Sequence, residues 1–266
     1  MIYSYSQITQ YLACARSYRY RYLEGWREKD TRANLVFGRV FEQALSAYFR
    51  RQDSAQRLHD EWARFRGVEL DYGRGDTWDT MLTQGITMLE RFCQDNRVGI
   101  VDPAACLQVK VSRPISRGSE FVSYIDAIGE LDGISCLIEW KTTSARYPEE
   151  PSGLVALDPQ LVCYSWMTGI TEVAMVVFVR KRVPEIQYLR TTISEEQRRE
   201  YRDLVKQTIE QIEAARFLQR SGIRFPNNGC VTCPYVGLCL CQPDLVDSKL
   251  VQVRGGELDW IDQLDC

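Results

Sequence analysis

Apolar residues at helical spacing dominate the first hundred residues of the chain. After Ser4 or Ser6, either of which is a suitable N-cap, the apolar side chains recur at the spacing of one helix face: Ile8, Tyr11, Leu12 and Ala15. The same periodicity predicts three further helices over 35–51, 54–66 and 76–96. We therefore expect a mainly helical N-terminal section over 1–100.

The pattern changes after residue 105 into short segments rich in β-branched and aromatic residues. Turn residues separate three of these segments, which we interpret as strands: 107–112, 121–128 and 135–140. Further along, the pattern predicts a helix over 158–168, two strands on either side of Pro184, and a helix from Ser194 to about Arg220. This order predicts an α/β fold with a small mixed central sheet flanked by helices.

Length and composition fit one globular protein of ordinary apolar content. The chain has 266 residues, 45% of them hydrophobic, and its longest apolar run, Val173–Val179, is too short to span a membrane. The N-terminus lacks the basic and apolar pattern of a signal peptide, so we expect a cytoplasmic protein without membrane contact. Ten cysteines in a reducing compartment are available for metal ligation instead of disulfides.

Charge is unevenly distributed along a chain whose formal net charge is only −3. Residues 1–52 carry nine Lys and Arg against four Asp and Glu, and tyrosines alternate with the arginines after Cys14. Such a segment is either a solvated surface or a binding surface for single-stranded nucleic acid. Proteins bind single strands with arginines that contact the phosphates and aromatic rings that stack on the bases. A net charge of −3 creates no overall positive potential that would attract a polyanion.

Asp132-Gly133 is a strong signal for a two-residue hairpin between the second and third predicted strands. Such a turn places Leu131 opposite Ile134, and counting outward along both strands brings Asp126 opposite Glu139. Directly opposed side chains on one face of a sheet have Cβ atoms about 4.5–5.5 Å apart. The hairpin therefore predicts two carboxylates side by side.

Two neighbouring carboxylates repel each other unless a cation lies between them or one is protonated. A divalent ion such as Mg²⁺ suits this arrangement, since it prefers oxygen ligands and needs only one or two carboxylates. By strand alternation, Lys141 shares the face of Glu139, where it could orient or deprotonate a water and stabilise charge on a phosphoryl group. The alternative from spacing alone is a set of ordinary surface residues near strand ends.

The residues of this hairpin resemble a known enzyme family. Asp126 followed by Glu139-Trp140-Lys141 resembles the core of the PD-(D/E)XK nucleases, specifically their RecB-like branch. Gln160 and Tyr164, one helical turn apart, resemble the motif that follows the catalytic strand in that branch, which implies that they line the site. The resemblance implies a restriction-endonuclease-like core with Mg²⁺ or Mn²⁺ at the carboxylates.

An upstream segment extends the resemblance to the helix over 35–51. Phe37-Gly38-Arg39-Val40-Phe41-Glu42 is similar to a helix motif of the family in which a metal-binding histidine is common. Glu42 occupies the histidine position, and a carboxylate is also a competent ligand for hard metal ions. The resemblance therefore implies Glu42 as a third metal ligand beside Asp126 and Glu139.

Cysteines near both ends of the chain form a second pattern. Cys230, Cys233 and Cys239 are one ligand short of a tetrahedral or cubane site, and Cys14 could supply the fourth. Zinc and an iron–sulfur cluster both accept four thiolates, and Cys241 is an alternative ligand. The segment around Cys14 resembles RecB-like nucleases with a [4Fe–4S] cluster, found in CRISPR adaptation and in helicase–nuclease complexes, which implies a structural iron–sulfur clasp.

Together these resemblances imply a metal-dependent DNA nuclease, an exonuclease on single-stranded DNA or DNA ends. They imply DNA contacts by the segment after Cys14, namely Arg16, Arg19, Tyr20 and Arg21. Protein partners in a recombination or CRISPR-adaptation complex are part of the same expectation. Two other functions stay open. One is a catalytically inactive DNA-binding module whose ends are held together by an iron–sulfur cluster or a zinc ion, and the other is a redox or iron-handling protein.

The expected domain organisation is a single RecB-like nuclease domain over 1–266. Its parts are the helical section 1–100, the catalytic core 105–220, the cysteine segment 225–241 that closes onto Cys14, and the tail 242–266.

Overall fold

The computed structural model describes residues 1–73, 75–116, 118–151, 153–219 and 229–253. The start of the cysteine segment at 225–228 and the tail beyond 253 lie outside the described residues.

The chain forms two compact units. The terminal unit contains Met1–Asp30, Pro114–Val122 and the described residues from Asp203 onward, and the central unit contains Thr31–Arg113 and Ser123–Arg202. The single domain over 1–266 stays a prediction.

Helices account for most of the first hundred residues, as the periodicity predicts. The α-helices have these bounds: α1 Tyr5–Ala13, α2 Ala15–Tyr18, α3 Ala33–Phe49, α4 Ser54–Ala63, α5 Trp78–Asp95, α6 Pro103–Cys106, α7 Pro159–Thr168, α8 Glu195–Glu213, α9 Val236–Leu240 and α10 Pro243–Lys249. A π-helix spans Arg19–Leu23 and a 3₁₀-helix spans Leu154–Leu157. In the described part of the chain, no helix combines the length and apolarity that a membrane span requires.

Strands occupy the predicted middle segments and several places that the pattern does not reveal. Their bounds are as follows: β1 Ile2–Ser4, β2 Trp26–Glu28, β3 Val98–Gly99, β4 Leu107–Ser116, β5 Ser119–Leu131, β6 Ile134–Thr143, β7 Glu172–Val179, β8 Glu185–Thr192 and β9 Leu250–Gln252.

The central unit is built around a mixed sheet. Strands β5, β6, β7 and β8 are neighbours in that order, and β3 and β4 also pair with β5. The β5–β6 and β7–β8 pairs are antiparallel, whereas β6 and β7 are parallel and are connected through α7. The predicted α/β fold, a small mixed sheet flanked by helices, is confirmed.

One face of the sheet packs on α3 and α5 through a large aromatic core. Trp140 on β6 and Phe178 on β7 contact Phe92 of α5, and Phe41 of α3 lies 4.7 Å from Phe178 between ring centroids. These four side chains are at most 8% exposed. Burial of such rings contributes about 1.5–3 kcal/mol each and fixes α3 against the sheet. The faces alternate along β6, so Glu139 and Lys141 point away from this core.

The terminal unit joins distant parts of the sequence. Strand β1 runs parallel to Glu120–Val122 at the start of β5, and β2 pairs antiparallel with β9. Ser4 is the N-cap of α1, as predicted, and accepts a hydrogen bond from the Gln7 N–H at 3.4 Å. Cys14 interrupts the predicted first helix with an extended backbone between α1 and α2.

Helix α8 begins as predicted but is shorter than the pattern indicates. Ser194 and Gln197 form the reciprocal hydrogen bonds of a capping box, at 2.9 and 3.1 Å. The predicted end near Arg220 is wrong, because the helix ends at Glu213 and Ala215 adopts a positive φ of 53° that a helix cannot contain.

Candidate active site

The β5–β6 hairpin sets the two central carboxylates next to each other. Asp132 and Gly133 adopt positive φ values of 52° and 76°, as a two-residue turn requires, and the register runs from Leu131 opposite Ile134 to Ala127 opposite Ile138. Asp126 and Glu139 lie directly beyond the last of these pairs, and their side chains are close enough to form a hydrogen bond. Asp126 also accepts a hydrogen bond from the Trp140 N–H at 2.9 Å. The turn residues therefore determine the position of both acids.

Helix α7 supplies two polar side chains to the same face of the sheet. Asp158 caps the helix by accepting a 2.9 Å hydrogen bond from the Gln160 N–H, and Pro159 occupies its first turn. From this fixed start, Gln160 and Tyr164 lie one turn apart, and the Gln160 side-chain amide donates to the Tyr164 hydroxyl at 2.8 Å. The Tyr164 hydroxyl in turn donates to Glu139 Oε2 at 2.8 Å.

Lys141 completes a closed set of hydrogen bonds around Glu139. Its ammonium donates to Glu139 Oε1 and, at 2.7 Å, to Gln160 Oε1. Glu139 is only 3% exposed, while the Lys141 side chain is 29% exposed. We call this group the carboxylate site, which comprises Asp126, Glu139, Lys141, Gln160 and Tyr164. The structure thus brings together all five residues that the sequence singles out as catalytic.

Burial and like charge dominate the electrostatics of the carboxylate site. Burial, followed by the charges of Glu139 and Glu42, raises the pKa of Asp126 well above its usual range. Burial lowers the pKa of Lys141, but the neighbouring Glu139 carboxylate raises it by more, so the pKa of Lys141 is raised overall. Burial and the neighbouring carboxylates also raise the pKa of Tyr164. Lys141 is therefore a stable ammonium, and Tyr164 is a neutral hydrogen-bond donor.

Glu42 reaches this region from α3. An added Cβ at Gly38, one turn earlier, would lie 3.1 Å from the Thr142 side-chain oxygen, so the glycine permits close packing of α3 on β6. Glu42 accepts a hydrogen bond from the Gln108 side-chain amide. Burial and the Glu139 charge raise the pKa of Glu42 to about 7. Its carboxylate is therefore within electrostatic reach of Glu139.

The donor set fits a divalent ion of the hard class. The donor atoms are all carboxylate oxygens, from Asp126, Glu139 and Glu42. Each negative charge makes ionisation of its neighbours less favourable, and a bound cation relieves this repulsion. Within the described ranges, no three His, Cys, Asp or Glu side chains are placed so that they could hold a metal ion as they stand. Mg²⁺ needs only one or two carboxylates, so the Asp126 and Glu139 pair is sufficient.

The terminal unit brings four predicted cysteines into one neighbourhood. Cys14 lies between α1 and α2, Cys230 and Cys233 lie in a turn, and Cys239 lies on α9. Burial raises the pKa of the Cys233 thiol, and the charges of Cys14, Cys239 and Cys230 raise it further. We call these four residues the cysteine cluster. Like the rest of the described residues, these cysteines are not arranged so that three of them could hold a metal ion as they stand.

Tyr20 packs on the cysteine cluster. Its hydroxyl lies 3.9 Å from the Cys239 sulfur, and its ring centroid lies 6.0 Å from that of Tyr235. The predicted DNA contact of Tyr20 stays a prediction.

The three arginines that the sequence assigns to DNA contact lie on α2 and the π-helix. Arg16 donates to the Gln219 side-chain oxygen at 3.3 Å, and Arg19 forms a salt bridge with Glu24 at 2.6 Å. Arg21 follows on the same π-helix. Exposed ion pairs of this kind contribute little to stability, so Arg19 is free to exchange partners with a phosphate. The DNA contacts of these arginines stay predictions.

Two side chains near the carboxylate site have no signal in the sequence pattern. Gln187 on β8 is 4% exposed and binds the backbone of Tyr147, in the segment that follows β6. Tyr147 lies in a stretch without hydrophobic periodicity, so no pattern indicates its position. The sequence around Gln187 does not indicate that its side chain binds Tyr147. A polar residue at an otherwise apolar strand position is the one feature that could have drawn attention to Gln187.

Comparison with known proteins agrees with this fold. The solved structure of a provisionally named exonuclease from Eubacterium rectale is 12% identical, covers 98% of this chain and 91% of its own, and has a TM-score of 0.54. Two others, SSO0001 and LHK-Exo in complex with dAMP, both have a TM-score of 0.33. They are 16% and 12% identical and cover 76% and 68% of this chain and 81% and 92% of their own. No curated protein matches the sequence.

A family model gives the decisive match, because it spans every element that builds the carboxylate site. The model of the PD-(D/E)XK nuclease superfamily matches residues 2–240. This chain belongs to the PD-(D/E)XK nuclease superfamily.

Proposed function

We propose that this protein is a metal-dependent DNA nuclease that hydrolyses phosphodiester bonds at the carboxylate site. The observation that carries the proposal is that Asp126, Glu139 and Lys141 meet on one hairpin. Tyr164 donates a hydrogen bond to Glu139, and Gln160 accepts one from Lys141. A purely structural role does not explain why a strand end concentrates buried acids beside a lysine, because such groups are costly to bury.

The roles follow from the charges of the groups. Asp126 and Glu139 would hold Mg²⁺ or Mn²⁺, with Glu42 assisting, and the ion when bound supplies Lewis-acid stabilisation of the phosphoryl oxygens. Lys141 remains an ammonium beside Glu139, so it orients the attacking water and stabilises negative charge on the phosphate by hydrogen bonding.

Gln160 and Tyr164 position the two central side chains. Tyr164 donates to one Glu139 oxygen and Lys141 to the other, which fixes the plane of the carboxylate. Gln160 holds Lys141 through its side-chain oxygen and Tyr164 through its amide. This rigid support maintains the geometry that the reaction needs.

The substrate class rests on the resemblance to the RecB-like branch. By that resemblance the enzyme is an exonuclease on single-stranded DNA or DNA ends, acting in the cytoplasm with partners of a recombination or CRISPR-adaptation complex. The segment with Arg16, Arg19, Tyr20 and Arg21 would contact the phosphate backbone. Binding should then weaken with salt, since neutralised phosphates release counterions.

We also propose that the cysteine cluster holds a [4Fe–4S] cluster as a structural clasp. The fit rests on the donor set, since four thiols from both ends of the sequence lie close enough to raise the pKa of Cys233 together. Soft thiolate ligands suit iron–sulfur clusters and zinc, and the resemblance of the Cys14 segment favours iron–sulfur.

Cleavage of end-labelled single-stranded DNA by the purified chain in Mn²⁺ tests the nuclease proposal. We expect shortened products with Mn²⁺ or Mg²⁺ and intact strand with chelator. Binding of the strand without cleavage in either metal would instead support the inactive DNA-binding module. Reversible reduction of a cluster without any interaction with DNA would support the redox alternative.

A further inference from the structure

The segment that follows β6 is attached to the sheet by a buried glutamine. Gln187 Oε1 accepts a hydrogen bond from the Tyr147 N–H at 2.9 Å, and its amide donates to the Tyr147 carbonyl at 3.0 Å. The same amide donates to Glu149 Oε1 at 2.6 Å. Both backbone groups of Tyr147 are therefore fixed by one side chain that is 4% exposed. A buried amide bound in this way leaves the Tyr147 backbone little freedom.

The sheet register places this attachment on the face of the carboxylate site. Lys141 pairs with Val177 on β7, and Val177 pairs with Gln187 on β8. Residues in one row across neighbouring strands point to the same face, and strands are about 4.8 Å apart, so the Cα atoms of Lys141 and Gln187 are about 10 Å apart. Tyr147, held on Gln187, therefore lies on the same side of the sheet as the site.

The electrostatic surroundings of the Tyr147 phenol agree with this position. Burial raises the pKa of Tyr147, the Lys141 ammonium lowers it, and the Asp158 and Glu139 carboxylates raise it. The ring is nevertheless partly exposed, unlike that of Tyr164, which is 2% exposed. A half-buried tyrosine beside the carboxylate site is suited to stack on an unpaired base, because every base has a π-face.

We propose that Tyr147 is a substrate-contacting residue whose ring stacks on a base of single-stranded DNA beside Lys141, and that Gln187 is its positioning residue. This inference rests on the proposed nuclease function, which it extends by assigning a preference for unpaired nucleotides. Nothing in the family resemblance assigns a role to either residue.

The test measures DNA binding by the full chain separately from cleavage. The probe is a fluorescein-labelled oligo-dT strand, and the readout is fluorescence anisotropy in Ca²⁺, with a labelled duplex as second probe. We expect Tyr147→Ala to weaken strand binding about 10-fold and to leave duplex binding unchanged. Tyr147→Phe keeps the ring and should bind as the wild type does. The control is Tyr188→Phe, since Tyr188 lies on the Trp140 face of the sheet.

A double-mutant cycle distinguishes positioning by Gln187 from a general loss of structure. If Gln187 acts through Tyr147, Gln187→Ala weakens strand binding less than Tyr147→Ala, and the double variant binds no worse than Tyr147→Ala alone. Additive losses would contradict the positioning role. Equal losses in Tyr147→Phe and Tyr147→Ala would contradict stacking, because the hydroxyl would then be the contact.

Failure of this inference differs from failure of the nuclease proposal. Tyr147→Ala that binds the strand as tightly as the wild type does overturns the inference, whether or not the wild type cleaves. Wild type that binds the strand but leaves it intact in Mn²⁺ overturns the nuclease proposal alone, and the anisotropy series still decides the stacking role. Wild type that binds no strand overturns the inference, whereas Mn²⁺-dependent cleavage of duplex ends would still support the nuclease proposal.

Discussion

The carboxylate site and the cysteine cluster are assembled in opposite ways. Asp126 and Glu139 lie on two strands joined by a two-residue turn, and Gln160 and Tyr164 share one helix. The cysteine cluster instead combines Cys14 with residues from the other end of the described chain. A site whose residues are close in the sequence is positioned by turn and helix geometry. A site whose residues are far apart in the sequence needs the tertiary fold, or a bound group, to bring them together.

The two regions also differ in how their polar atoms are satisfied. In the carboxylate site, Glu139 receives hydrogen bonds from Lys141 and Tyr164, so its geometry is formed by the protein itself. In the cysteine cluster, the thiols of Cys14, Cys230 and Cys239 oppose ionisation of Cys233. We infer that the first region is preorganised by the protein itself, whereas order in the second would depend on the proposed iron–sulfur cluster.

Lys141→Ala should produce the largest change on the carboxylate side of this comparison. Loss of the ammonium removes the group that orients water and stabilises the phosphate, so we expect the Mn²⁺-dependent cleavage rate to fall about 10²–10³-fold. Single-turnover cleavage of labelled strand measures the rate. The matched control is Lys206→Ala, an exposed lysine on α8, which should leave the rate unchanged. Cleavage that survives Lys141→Ala would contradict the assigned mechanism.

Tyr164→Phe tests preorganisation with a smaller effect. The substitution removes one hydrogen bond to the Glu139 carboxylate, and hydrogen bonds to charged groups contribute about 1.5–3 kcal/mol, so we expect a loss of about 10–100-fold in rate. Tyr188→Phe is a close control, since its hydroxyl donates to Asp95 at the same 2.8 Å. Equal rates for the two variants would show that the Tyr164 bond does not support the site.

Cys14→Ala tests the other side of the comparison. We expect anaerobically purified wild type to contain about four iron atoms and four sulfides per chain, and the variant to contain less than about one iron. Cys93→Ala should keep the full iron content, because Cys93 lies on α5 of the central unit. About one zinc per wild-type chain without iron would favour the zinc alternative instead.

The local character of the carboxylate site explains why the sequence predicts it. Asp132-Gly133 is a turn signal that determines the register, and this register places Asp126 beside Glu139 and turns Lys141 to the same face. The four-residue spacing of Gln160 and Tyr164 specifies one helix face in the same way. The positions of these side chains follow from short-range geometry that a single sequence contains.

Long-range pairings leave no comparable pattern. Strand β1 pairs with Glu120–Val122 and β2 with β9, and neither short segment has a period of its own. The attachment of Tyr147 to Gln187 depends on a row across three strands. The end of α8 at Glu213 was also missed, since the helical pattern continues beyond the positive φ of Ala215. These features depend on tertiary contacts that override local propensity.

Binding of Mn²⁺ in solution shows whether Asp126 and Glu139 share a cation. Electron paramagnetic resonance of free Mn²⁺ during titration with the wild-type chain and with Asp126→Asn gives the bound fraction in each. We predict that the wild type removes the free-ion signal with one or two ions per chain and that Asp126→Asn does not. Equal Mn²⁺ binding by both chains would contradict the shared cation.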